Sequence, residues 1–130
     1  MMMRRLMALS AAMVAAAGLS GSRPLGQERV VVSVVAERFT FTPSEIRVPV
    51  GSTLELRVRS EDTMHGFRII GHQVNVSVPK RRQGEAVVLF DAARAGRYRF
   101  ECSRLCGAGH NFMRGEIVVV DPRATISDDE

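Results

Sequence analysis

The sequence predicts an all-β domain, a Greek-key antiparallel β-sandwich preceded by an N-terminal signal segment. Three observations carry the fold. Apolar residues recur at every second position in several short runs, Gly and Pro interrupt those runs at short intervals, and no amphipathic helix of useful length follows residue 30. A period of two means a strand with one wet face and one buried face. Six to eight such strands in about 100 residues suit a sandwich with Greek-key connections.

The elements follow in chain order. Residues 1–22 read as a leader: Arg4 and Arg5 form a positive start, Leu6 to Leu19 an uncharged, Ala-rich run of 14 residues, and small residues come next. As a membrane anchor the run is short, because 14 residues at ~1.5 Å each fall below a ~30 Å hydrocarbon core. The expectation is export with cleavage, and so a periplasmic domain over residues 28–122. Val30 to Ala36 is a more continuous apolar run, interrupted only by Ser33, and suits an interior strand. In TLELRVRS, Leu54, Leu56 and Val58 alternate with Glu55, Arg57 and Arg59, which reads as a dry face and a wet one. In VNVSV, Val74, Val76 and Val78 alternate with Asn75 and Ser77. Ala86 to Phe90 is a second continuous run, also read as interior. In RYRFEC, Tyr98, Phe100 and Cys102 share one face, and Ile117 to Val120 closes the sheet. Pro43, Pro49, Gly51, Gly71, Pro79, Gly84 and Gly96 mark the turns. Residues 123–130 read as a flexible acidic tail.

Composition removes several functions. The chain holds 18 basic residues, a single one of them lysine, against 14 acidic ones. The basic residues are spread singly, with no run longer than Lys80-Arg81-Arg82, and there is no Trp. Nucleic-acid binders cluster charge and add stacking aromatics, so no nucleic-acid partner is expected. Removing Arg4 and Arg5 with the leader leaves a net charge of about +2. No Ser-His-Asp set or paired carboxylates are discernible, which speaks against catalysis by the domain alone.

Chemistry concentrates in one stretch, CSRLCGAGHNFM. Both cysteines of the chain, Cys102 and Cys106, lie there with His110 and Met113, between the strand RYRFEC and the strand EIVVV. A disulfide suits an exported chain but leaves His110, Met113, Gly107 and Gly109 unexplained. Structural zinc takes Cys and His but rarely Met. Copper accounts for thiolate, imidazole and thioether together. A mononuclear blue site uses one Cys, two His and a weak Met; a second thiolate can bridge two metals, which then need one imidazole each. Of the two remaining histidines, His65 ends SEDTMH after a strand, whereas His72 follows Gly71 in a connecting turn and reads as an exposed histidine.

The stretch C-S-R-L-C-G-A-G-H-N-F-M resembles the dinuclear copper A (CuA) loop, C-x-x-x-C-x-x-x-H-x-x-M, of cytochrome c oxidase subunit II and nitrous oxide reductase. SEDTMHGF resembles the first-histidine segment of the same family, and the similarity extends from Phe39 to Asp121, through FTFTPSEIRVPVGSTLEL and AGRYRFECSRLCG. The resemblance implies a cupredoxin fold and two copper ions sharing one unpaired electron. It implies Cys102 and Cys106 as bridging thiolates, His65 and His110 as terminal imidazoles, Met113 as a weak ligand, and the backbone carbonyl of Arg104 as the other weak ligand.

Three departures qualify the match. Arg104 stands where many subunits carry a glutamate that helps a magnesium site against subunit I. The Trp-containing segment offered to cytochrome c is absent, and so is the usual transmembrane hairpin. The expected function is therefore a periplasmic electron-transfer protein with a dinuclear CuA centre, exchanging electrons with a c-type cytochrome or other donor. A minimal subunit II working with haem-copper oxidase subunit I is the alternative. A periplasmic copper-delivery or sequestering protein is a further one, weakened because five of seven methionines lie in the leader.

Overall fold

The computed structural model describes residues 28–124; the leader read at residues 1–22 and the tail beyond residue 124 lie outside them. Among the described residues nine strands form two sheets: β1 (Arg29–Glu37), β2 (Thr40–Thr42), β3 (Glu45–Pro49), β4 (Thr53–Ser60), β5 (His65–Ile69), β6 (Asn75–Val78), β7 (Glu85–Asp91), β8 (Gly96–Glu101) and β9 (Arg114–Val120). One sheet has the order β2-β1-β4-β7 and the other β3-β9-β8-β5-β6. A short 3₁₀ turn, His110–Phe112, lies just before β9.

The sandwich matches the expectation, and its pairing adds a difference. β1 runs parallel to β4 and β3 parallel to β9, while the other five pairings are antiparallel. Alternation reports which face a residue takes, and is silent on the direction of the neighbouring strand.

Two strand readings need correction. β7 is an edge strand, not an interior one, with Val87 and Leu89 on the outer face at 52% and 57% exposure. Its unbroken apolar run therefore covers both faces although only one is buried. Glu55 is not on a wet face: it is 4% exposed, because Arg29 and Arg57 fold over its carboxylate. The guanidinium of Arg29 holds the Glu55 carboxyl below its ordinary value, against the cost of burial and with help from Arg57.

The core sits between the sheets. Phe41, Phe67 and Phe100 meet there, Phe67 and Phe100 stacked at 4.9 Å and Phe41 edge-on to both. Leu54, Leu56, Val58, Val34 and Ile117 fill the remaining space, all fully buried. Edge-to-face rings contribute roughly 0.5–1.5 kcal/mol beyond their area. The aromatic cluster also serves the loop end, since Phe100 lies two residues before Cys102 and Phe67 two after His65.

Candidate metal centre

Each of the six residues singled out in the sequence arrives at one end of the sandwich by a definable route. β8 ends at Glu101 and β9 starts at Arg114; the Cys102 amide donates to the Met113 carbonyl at 3.0 Å, which pins the two ends of the loop together. Within the loop, the amides of His110, Phe112 and Met113 donate to the carbonyls of Gly107, Gly109 and His110, forming the short turn that swings His110 back over the cysteines. His65 opens β5, opposite Val78 of β6, and is completely buried.

The donor atoms converge. The sulfurs of Cys102 and Cys106 are 3.8 Å apart, and both thiols are free and buried. Nδ1 of His65 is 4.0 Å from the Cys102 sulfur, and Nδ1 of His110 is 3.8 Å from that of Cys106. Sδ of Met113 lies 3.8 Å from the Cys106 sulfur, and the Cys102 thiol donates to the Arg104 carbonyl at 3.1 Å. Each sulfur thus has one imidazole and one weaker donor at its side. Donor atoms of His65, Cys102 and Cys106 lie within 4.8 Å of one another. His72 is elsewhere, exposed as expected, with its ring edge-on to Phe90 and Tyr98.

Burial and the neighbouring Cys102 push the Cys106 thiol up to about 11. A proton on the Cys106 thiol is therefore the resting state of the metal-free pair at neutral pH, and a bound cation has to displace it. Metal–thiolate bonds of ~2.3 Å allow one ion to span two sulfurs at this separation, which are 3.8 Å apart here. Two thiols, two imidazoles, a thioether and a carbonyl are a donor set that suits copper.

Sequence reasoning missed the residues that hold these donors in place. Asp62 Oδ1 stands 2.6 Å from Nε2 of His65, and its other oxygen accepts the Arg38 amide at 2.9 Å. Burial works against ionisation of Asp62, but donors from Arg38, His65 and Thr63 outweigh it and hold the carboxyl below its ordinary value. Nε of Arg38 donates to the Cys106 carbonyl at 2.7 Å. The ring of Phe39 lies against Gly107 and Gly109, where an added Cβ would come within 2.9 Å and 2.2 Å of it. Gly107 also has φ +146°, a conformation that side chains other than glycine avoid. Asp62 had a local signal, a carboxylate three residues before a candidate ligand. Arg38 had none, being 68 residues from Cys106.

A Greek-key sandwich whose loop between the last two strands gathers Cys, His and Met beside a histidine from an adjacent strand defines a class, the cupredoxins. The chain belongs to the cupredoxin-like domain family, which it matches over residues 7–119. Within that class it is homologous to subunit II of cytochrome c oxidase. It is 38% identical over 95 residues to cytochrome c oxidase subunit 2 of Thermus thermophilus, covering 72% of this chain and 68% of that one. The identity is the same for a longer subunit 2 from the same species, of which the match spans 55%, so the chain extends over about half to two thirds of these relatives. The periplasmic domain of subunit II (CoxB) of Bradyrhizobium japonicum shares the fold, with a TM-score of 0.63 at 22% identity over 75% of this chain and 88% of that one. A chain of a haem-copper terminal oxidase dimer aligns with a TM-score of 0.62 at 31% identity, covering 73% of this chain and 66% of that one.

Proposed function

We propose that the domain is an electron carrier of the subunit II type, built around a dinuclear CuA centre. Cys102 and Cys106 are the bridging thiolates in this reading, His65 and His110 the terminal imidazoles, and Met113 and the Arg104 carbonyl the weak ligands. The observation that carries it is the pair of buried sulfurs 3.8 Å apart, each with its own imidazole Nδ1 within 4.0 Å. A copper pair held there supplies uptake and release of one electron.

The protein's own residues supply the rest. Asp62, an acceptor only, keeps the proton of His65 on Nε2 and leaves Nδ1 with a free lone pair toward the sulfurs. The pinned loop limits how far the donors move between oxidation states. Complete burial of His65 and Met113 keeps water out on one side. His110 is half-buried beside the exposed Asn111 and Phe112, so it is the donor through which an electron enters or leaves.

The relatives' role in cytochrome c oxidase supports a c-type cytochrome as donor and haem-copper subunit I as acceptor. The chain serves them either as a free carrier or as a minimal subunit II. We propose that it works in the periplasm, exported by the leader at residues 1–22; among the described residues no helix is long and apolar enough to cross a membrane. Copper delivery is the weaker reading, since a delivery site presents its donors to a partner and here Cys102, Cys106, His65 and Met113 are all buried.

Metal analysis with paramagnetic resonance of the oxidised protein tests the centre. Two coppers per chain and one electron coupled to two copper nuclei are expected. One copper per chain with a single-nucleus pattern overturns the dinuclear reading. Cys102→Ser and Cys106→Ser should each abolish the two-nucleus pattern, while His72→Ala should preserve it.

A further inference from the structure

The end of the sandwich that carries the copper loop is apolar at its centre and basic around it. Leu105 and Phe112 are 82% and 75% exposed, unusual values for large apolar side chains, and both belong to the loop. Three arginines lie beside them in the chain or in space, and two of these have the guanidinium held by a hydrogen bond. Arg104 adjoins Leu105, Arg38 is tied to the Cys106 carbonyl at 2.7 Å, and Arg114 is tied to the Asn111 carbonyl at 2.9 Å. Among the described residues none of the three has a carboxylate within ion-pair distance.

The acidic groups of this end are mostly spent. Residues 102–114 contain no Asp or Glu. Glu101 is paired with Arg68, and Asp62 faces His65. Glu61 lies between Arg59 and Arg81. Asp62 is held by the His65 ring and the Arg38 amide and not by a guanidinium, and Glu37, next to Arg38 in the chain, has no cation against it among the described residues.

We propose that this face docks a redox protein whose electron-exchanging edge lies in an apolar patch ringed by Asp and Glu side chains. The inference rests on the electron-carrier reading and adds the sign of the partner's charge. Charge complementarity carries it: a partner with a lysine ring would bring like charges onto Arg38, Arg104 and Arg114, while Leu105 and Phe112 give the contact a core that releases quickly. Exposed charges of this kind act mainly on the encounter rate and are screened by salt.

The test uses the copper-loaded protein and two c-type cytochromes of matched potential, one of net negative and one of net positive charge. Binding is followed by nuclear magnetic resonance and electron exchange by stopped flow. The negative cytochrome should bind more tightly at low ionic strength, with affinity and exchange rate falling as salt rises. Arg104→Glu combined with Arg114→Glu should slow that exchange about ten-fold at low salt and little at high salt. Tighter binding of the positive cytochrome, or affinity indifferent to salt and to the double variant, overturns the proposal. So does cosedimentation of this face with phosphatidylglycerol vesicles, lost in the double variant, when both cytochromes bind equally. Binding of the negative cytochrome without electron exchange upholds the surface and overturns the carrier reading instead.

Discussion

Oδ1 of Asp62 lies 2.6 Å from Nε2 of His65, and the other nitrogen of that ring, Nδ1, faces the Cys102 sulfur at 4.0 Å. One contact thus decides both the tautomer and the aim of a buried imidazole. The same carboxylate accepts the Arg38 amide, whose side chain reaches the Cys106 carbonyl, so both halves of the donor set share one support.

Asp62→Ala should therefore weaken copper binding by about 10–100-fold, the usual cost of losing a partner behind a metal-bound imidazole. Asp62→Asn, which keeps an acceptor oxygen, should retain more. Competition with a chelator measures the affinity, and the optical spectrum shows whether the ring has turned. An unchanged affinity and spectrum in Asp62→Ala would mean that burial alone orients His65.

Met113 is fully buried with its sulfur 3.8 Å from that of Cys106. Met113→Leu conserves volume and should cost under about 1.5 kcal/mol of stability. Copper should remain bound and the reduction potential should rise, because a donor to the oxidised state is lost. Arg104→Ala should keep its copper and change the spectrum little, since the carbonyl that faces Cys102 persists. Loss of copper in Arg104→Ala would assign the role to the side chain.

Gly109 has an ordinary backbone conformation, with φ −92°, and the nearest atoms to where a Cβ would sit belong to the Phe39 ring, 2.2 Å away. Gly109→Ala should cost about 1–3 kcal/mol through overpacking. In the background of Phe39→Ala the same change should cost much less, giving a non-additive cycle by urea denaturation. Additive costs would show that Phe39 does not shape the loop.

Glu55 is ionised and paired in the folded chain, with its carboxyl below the ordinary value of 4.5. A depressed folded value means that its stabilisation is complete above the unfolded value and disappears as the pH falls through the folded one. Glu55→Gln should therefore be less stable than the parent at pH 7, with the gap closing as the pH is lowered past 4.5. Denaturant midpoints of the two proteins across that range provide the measurement. A gap that stays constant would assign the role of Glu55 to packing, not charge.

The sandwich was legible because burial writes a period of two into strands such as TLELRVRS and RYRFEC. The loop was legible because metal donors are rare side chains, so Cys102, Cys106, His110 and Met113 stand out at any spacing. His65 was singled out because its segment, SEDTMH, follows the alternating strand TLELRVRS. All of these are local signals, carried by residues a few positions apart.

What the tertiary structure alone decided is set by pairs distant in the chain. Whether Ala86 to Phe90 is a central or an edge strand depends on which neighbours it meets, and its composition is compatible with both. Glu55 becomes buried only when Arg29, 26 residues away, folds over it. Arg38 and Phe39 shape a loop that begins more than 60 residues later, and nothing in their own segment marks them for it. The types of atom that bind a metal are a property of the sequence. The distances between those atoms, and the charges ringed around them, arise when strands remote in the chain are packed together.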